Sequence, residues 1–191
     1  MSRNSGDAKA SDAKAKSRVF FALWPDAAAA AHLHSFSQQL HQTLGGRLTR
    51  EETLHATLVF IGDVASDRLP GLLELSAGIH IPAFEINFDS FGCWCHNRIA
   101  YLGMRQIPNA LSMLQTELAS RVRAAGFDIE HRAFSPHITL LRKTECKKTG
   151  LEMENPATEP IVWAVRDFVL VKSSLSASGS RYEQIGHWPL L

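Results

Sequence analysis

Two tetrapeptides of one pattern constrain this chain more than anything else in it: His55-Ala56-Thr57-Leu58 and His137-Ile138-Thr139-Leu140. Each opens an apolar, β-branched run, which favours a strand. Side chains alternate faces along a strand, so His55 and Thr57 share one side, and so do His137 and Thr139. Ala56 and Leu58, like Ile138 and Leu140, then point the other way, into a core. Two such strands lying together would bring two imidazoles and two hydroxyls to one cleft.

The rest of the chain supplies two units to hold them. A first strand is predicted over 18–24, ending at Pro25. Asp26 is suited to cap a helix running to about residue 44, with Leu33, Phe36, Leu40 and Leu44 at helical spacing and Gly45-Gly46 as its stop. The first motif strand covers 55–61 and ends at Gly62-Asp63. A short helix fits within 66–77, although Pro70 interrupts it. Residues 84–94 and 98–102 read as two strands joined by a turn. Pro108 starts a helix to about residue 125, with Leu111, Leu114, Leu118 and Val122 on one stripe and Gly126 as its stop. The second motif strand covers 137–141. Residues 145–160 are polar and loop-like, and 161–172 and 181–187 are closing strands. Motif recurrence at a little under half of the 191 residues suggests a duplicated α+β unit whose pseudo-twofold axis sets the motifs face to face.

Charge bears on what such a cleft can take. Residues 1–18 hold Arg3, Lys9, Lys14, Lys16 and Arg18 against Asp7 and Asp12, a balance of +3; the whole chain is +1, so 19–191 carry about −2. A grip along a duplex calls for a basic surface, so any nucleic-acid substrate is expected to be engaged at one end or one linkage instead. Residues 1–17 have no apolar segment to act as a secretory signal and too little hydrophobic surface to order themselves, and are expected to form a disordered tail. Residues 18–191 then form one bilobal domain. No run approaches the roughly 18 apolar residues of a membrane span. Cys93, Cys95 and Cys146 are odd in number and lack a framework spacing, which suggests free thiols in a reducing, cytoplasmic setting.

Phosphodiester hydrolysis without a metal needs a base for the attacking water and an acid for the leaving sugar oxygen. An imidazole titrates near pH ~6.5 and serves in either role. Neutral hydroxyls suit the non-bridging phosphate oxygens. The other seven histidines form no such pair and read as surface or packing residues, and no acidic cluster accompanies His55 or His137, so neither a metal nor a cofactor is expected.

These motifs resemble the 2H phosphoesterase superfamily, and their surroundings narrow the resemblance to the RNA 2′,3′-cyclic phosphodiesterases, also called 2′-5′ RNA ligases. The supporting stretches are RVFFAL at 18–23, LHATLVFIGD at 54–63, FSPHITLLR at 134–142, and a closing stretch with Ser173-Ser174, Arg181-Tyr182 and Trp188-Pro189-Leu190. The resemblance implies a bilobal, duplicated α+β fold in which two antiparallel sheets line a central cleft with helices outside. It also implies hydrolysis of an RNA-end 2′,3′-cyclic phosphate to a 2′-phosphomonoester, with weak reverse 2′-5′ ligation. His55 matches the proton donor to the 3′ oxygen, His137 the proton acceptor that activates water, and Thr57 and Thr139 the phosphate-holding hydroxyls; a near-symmetric site leaves reversal of the histidine roles open.

Arg142 matches a basic residue that contacts phosphate or the RNA end. Strict alternation puts it on the face opposite His137, so it reaches the cleft only past a bulge or strand end and is otherwise a solvent-facing strand-end arginine. Phe20 is a base-stacking residue or a core residue. The expected partner is an RNA 3′ end or nucleotide bearing a 2′,3′-cyclic phosphate, met by a monomer. Two other readings compete: a related phosphodiesterase acting on another small cyclic phosphate or 2′-5′ linkage, and an RNA-end binding module without turnover.

Overall fold

The computed structural model describes residues 16–146, 153–154, 161–176 and 179–191. The chain runs β1 (Lys16–Leu23), α1 (Ala27–Leu44), β2 (Arg47–Leu48), β3 (Ala56–Ala65), α2 (Leu69–Ser76), β4 (Phe84–Phe88), β5 (Ser90–Trp94), β6 (Ile99–Gly103), α3 (Asn109–Ala124), β7 (Ile138–Arg142), β8 (Met153–Glu154), β9 (Ile161–Val165), β10 (Asp167–Ser176) and β11 (Gly179–Pro189). Residues 1–15 of the expected tail lie outside the described residues, while Lys16 and Ser17 begin β1, paired with Ala65 and Val64. The expected loop at 145–160 is also largely outside; its residues 153–154 form β8 against β5.

Antiparallel strands in the order β11-β10-β1-β3-β7-β6-β5-β8 make one nine-stranded sheet, with β2 paired to β7. It consists of two halves, because β3 and β7, the motif strands, are joined by the single pair Ala56–Ile138. The strand–helix–motif strand unit β1-α1-β3 is thus repeated as β6-α3-β7 on the other side of a seam. The helices cross over: α1 packs against β7 and α3 against β3, so each helix braces the other half's motif strand. One hydrophobic core runs beneath both halves and includes Phe21 and Leu58 from the first and Leu102 and Leu140 from the second.

Local chemistry explains most element boundaries. The Asp26 carboxylate accepts the Ala29 N–H at 2.8 Å and caps α1. Pro70 begins α2 rather than interrupting it, since a first-turn residue has no intrahelical use for its missing N–H. The expected single strands at 84–94 and 161–172 are each split. Asp89 turns aside to accept the Arg105 N–H at 2.8 Å, and β4 leaves β5 to pair with β9 in a separate two-stranded sheet. β3 also continues past Gly62, whose φ of +88° is open to glycine and carries the strand through a bulge opposite Val19 and Phe20. The expectation of three free thiols is corrected: Cys93 and Cys146 form a disulfide with Cα atoms 6.1 Å apart, leaving Cys95 free. That pairing arises where the end of β5 meets the segment after β7, a proximity that only the folded sheet creates.

Candidate active site

A bulge follows the threonine of each motif, and it decides what faces the cleft. On β3, Thr57 pairs with Ala22 and Val59 with Phe21, leaving Leu58 as the extra residue. On β7, Thr139 pairs with Tyr101 and Leu141 with Ala100, leaving Leu140 extra. Both motif strands therefore run buried, half-buried, buried, buried, exposed. An inserted residue reverses the alternation beyond it. Arg142 thus joins Thr139 and His137 on the cleft face, by way of the bulge that strict alternation required.

His55, Thr57, His137, Thr139 and Arg142 line one cavity of about 400 Å³, together with Arg47, Arg50 and Tyr182. The two histidines are held alike. His55 Nδ1–H donates to the Thr53 carbonyl at 2.7 Å and His137 Nδ1–H to the Ser135 carbonyl at 2.8 Å. A carbonyl only accepts, so each Nδ1 carries its hydrogen and each Nε2 is left for proton exchange in the cleft.

Aromatic rings fix each imidazole. Trp24 stacks on His55 with centroids 5.2 Å apart and planes 4° apart, Phe20 stacks at 5.0 Å, and Tyr182 meets it edge-on at 5.3 Å. Trp94 and Tyr101 meet His137 edge-on at 4.5 and 5.7 Å. Gly92 permits this second arrangement, because a methyl group there would collide with the Tyr101 ring. Phe20 is only 4% exposed, so it presents no face to a base; its ring packs against the His55 imidazole, which corrects the base-stacking expectation. Trp24, Tyr182, Trp94 and Tyr101 were not anticipated. Trp24 had one legible signal, since alternation places it on the face of Phe20 and Ala22.

Burial lowers the pKa of both imidazoles. His55 is pushed down to about 4 by desolvation, with Arg142 and His137 adding positive charge nearby. His137 is lowered by desolvation, then by Arg132 and Arg142. Arg142 also stands directly across from Arg47 in the β2–β7 pairing. Like charges set opposite each other cost stability, and an anion between them relieves that cost. Arg50 is tied to the far wall by donating to the Ser180 carbonyl at 2.8 Å.

Two ring-held imidazoles, two hydroxyls and an unbalanced pair of guanidiniums define a phosphoesterase site of the two-histidine class. The family model described as LigT-like phosphoesterase matches the chain twice, over residues 23–101 and 102–182, one match for each motif. The chain belongs to that family. It is 34% identical over 145 residues to the RNA 2′,3′-cyclic phosphodiesterase of Escherichia coli strain K12, covering 76% of this chain and 80% of that one. Identity to the protein of the same name from Thermotoga maritima is 30% over 145 residues, covering 73% and 76%. The crystal structure of E. coli LigT complexed with 3′-AMP matches with a TM-score of 0.80 at 30% identity, covering 92% of this chain and 99% of that one.

Proposed function

We propose that the protein is a metal-independent RNA 2′,3′-cyclic phosphodiesterase that leaves a 2′-phosphomonoester, acting as a monomer on RNA ends in the cytoplasm. The reading is supported chiefly by one observation: both imidazoles, each anchored through Nδ1 to a backbone carbonyl, line the same cavity as both motif threonines. His137 Nε2 takes a proton from the attacking water as its oxygen bonds to phosphorus. The P–O3′ bond breaks, and protonated His55 gives its Nε2 proton to the departing 3′ oxygen. The Thr57 and Thr139 hydroxyls donate to the non-bridging oxygens, and Arg142 faces the phosphate charge. The resting state returns when solvent carries a proton from His137 back to His55. A monomer suffices because one chain supplies both half-sites.

End-group analysis of an oligonucleotide bearing a 2′,3′-cyclic phosphate, incubated in EDTA, tests this reading. A 2′-phosphate product is expected. A 3′-phosphate would reverse the histidine roles, and an unchanged end would refute the activity.

The pH profile gives a second check. Catalysis needs one imidazole protonated and the other neutral. In the free enzyme both titrate below 6.5, one of them near 4. The kcat/KM bell is therefore expected on the acid side of pH ~6.5, falling at high pH as the acid is lost and at low pH as the base is protonated. Arg142→Gln removes a positive neighbour that lowers both groups, so both limbs should move to higher pH. KM should rise roughly 10- to 100-fold, the value of a hydrogen bond to a charged group. An unmoved bell in that variant would separate Arg142 from the imidazoles.

A further inference from the structure

Phe60 holds in the first half the place that Arg142 holds in the second. Each is the third residue after its motif threonine, each follows a bulge, and each pairs across to the cleft face: Phe60 with Phe20, Arg142 with Ile99. Phe60 is 45% exposed, and among the described residues it is the one aromatic in the set of exposed large hydrophobic side chains. Single exposed apolar side chains are ordinary on a protein surface; what sets Phe60 apart is its place beside the cleft, in the position that Arg142 takes in the other half.

It faces a second cavity of about 250 Å³ that shares Thr57, Trp94 and His137 with the first. The two cavities therefore adjoin at these residues. They are also pseudo-twofold mates: the first is walled by the segment leading to His55, the second by the segment leading to His137. The second wall carries Arg132 and Glu130, and α3 adds Arg123. Arg132 is paired to Glu130 at 3.1 Å, but the two side chains are 74% and 69% exposed, and so open a pair exchanges readily for another anion. Its positive charge also reaches His137.

We propose that this groove is a subsite for a second nucleotide of the RNA strand, with its base stacked on Phe60 and its backbone phosphate on Arg123 and Arg132. The chemistry selects this occupant. A flat apolar ring suits any base, flanking guanidiniums suit a phosphodiester, and the groove adjoins the cavity proposed to hold the reacting phosphate. The inference rests on the cyclic phosphodiesterase reading and adds that the enzyme distinguishes an RNA end from a free nucleotide.

The test compares kcat/KM for a nucleoside 2′,3′-cyclic monophosphate with that for a dinucleotide and a trinucleotide carrying the same cyclic end. Wild-type enzyme should favour the longer substrates by about tenfold or more, within the range of one base stacked on an aromatic ring. Phe60→Ala should bring that ratio close to one, and Phe60→Trp should restore it. The double variant R123Q/R132Q should lower the ratio and flatten the salt dependence of KM for the longer substrates. A wild-type ratio near one, or a Phe60→Ala loss equal on all substrates, overturns the subsite while leaving the activity standing. A wild-type enzyme that turns over none of them sinks the activity and the subsite together.

Discussion

Alanine at His55 or at His137 is expected to lower kcat/KM by about 10²- to 10⁴-fold, because each removes a positioned proton donor or acceptor. Both variants should remain folded. Each imidazole makes one side-chain hydrogen bond to a nearby carbonyl and packs against rings that belong to its own half. Removing the second histidine after the first should cost little more, since one proton-transfer pathway needs both. Near-wild-type turnover in either folded variant would refute the two-histidine mechanism. A diester with a weakly basic phenolate leaving group then separates the roles. Such a leaving group departs without a proton, so the variant lacking the acid should recover much of its rate and the variant lacking the base should not.

Valine at Thr57 and at Thr139 should each lower kcat by about 10²- to 10³-fold, the measured scale for one hydrogen-bond donor to a developing oxyanion. The substitution keeps the shape and the β-branch and removes only the hydroxyl. Both threonines are half-buried in well-paired strands, with Ala22 and Tyr101 across from them, so strand structure should persist. Serine at either position should recover most of the rate. KM should change less than kcat, because the hydroxyls gain most where charge builds on the phosphate oxygens. A loss confined to KM would make the threonines ground-state binders and would assign transition-state stabilisation to Arg142.

That His55, Thr57, His137 and Thr139 would line one cavity was legible because it depends only on short-range alternation and a repeated pattern. The face of Arg142 stayed open for the opposite reason. Its face depends on a bulge at Leu140, and a bulge is a mismatch with a partner strand, here Tyr101 and Ala100 on β6. Nothing within 138–142 marks it. The split of 84–94 into two strands is similar, since it follows from β9 arriving from far along the chain to pair with β4. Phe20 read equally as a stacking ring or a core ring because both face a neighbour, and only the fold shows that the neighbour is His55. The aromatic settings of the two imidazoles draw on β1, β5, β6 and β11, which no local window contains. The second half-cleft was missed with them, because Phe60 resembles an ordinary strand residue until its likeness to Arg142 is seen.

The single Ala56–Ile138 pair between the halves means that backbone hydrogen bonding does little to set the distance from one imidazole to the other. That distance is instead held from behind, by the shared core and by two helices that each reach across the seam. Displacement of a reacting group by about 1 Å can cost on the order of 100-fold in rate, whereas a modest core truncation often leaves a protein folded. Substitutions at Leu111 or Leu114, fully buried on α3 and lining neither cavity, should therefore register in turnover before they register in melting temperature. For this architecture the enzymatic rate is a finer gauge of interior packing than thermal stability is.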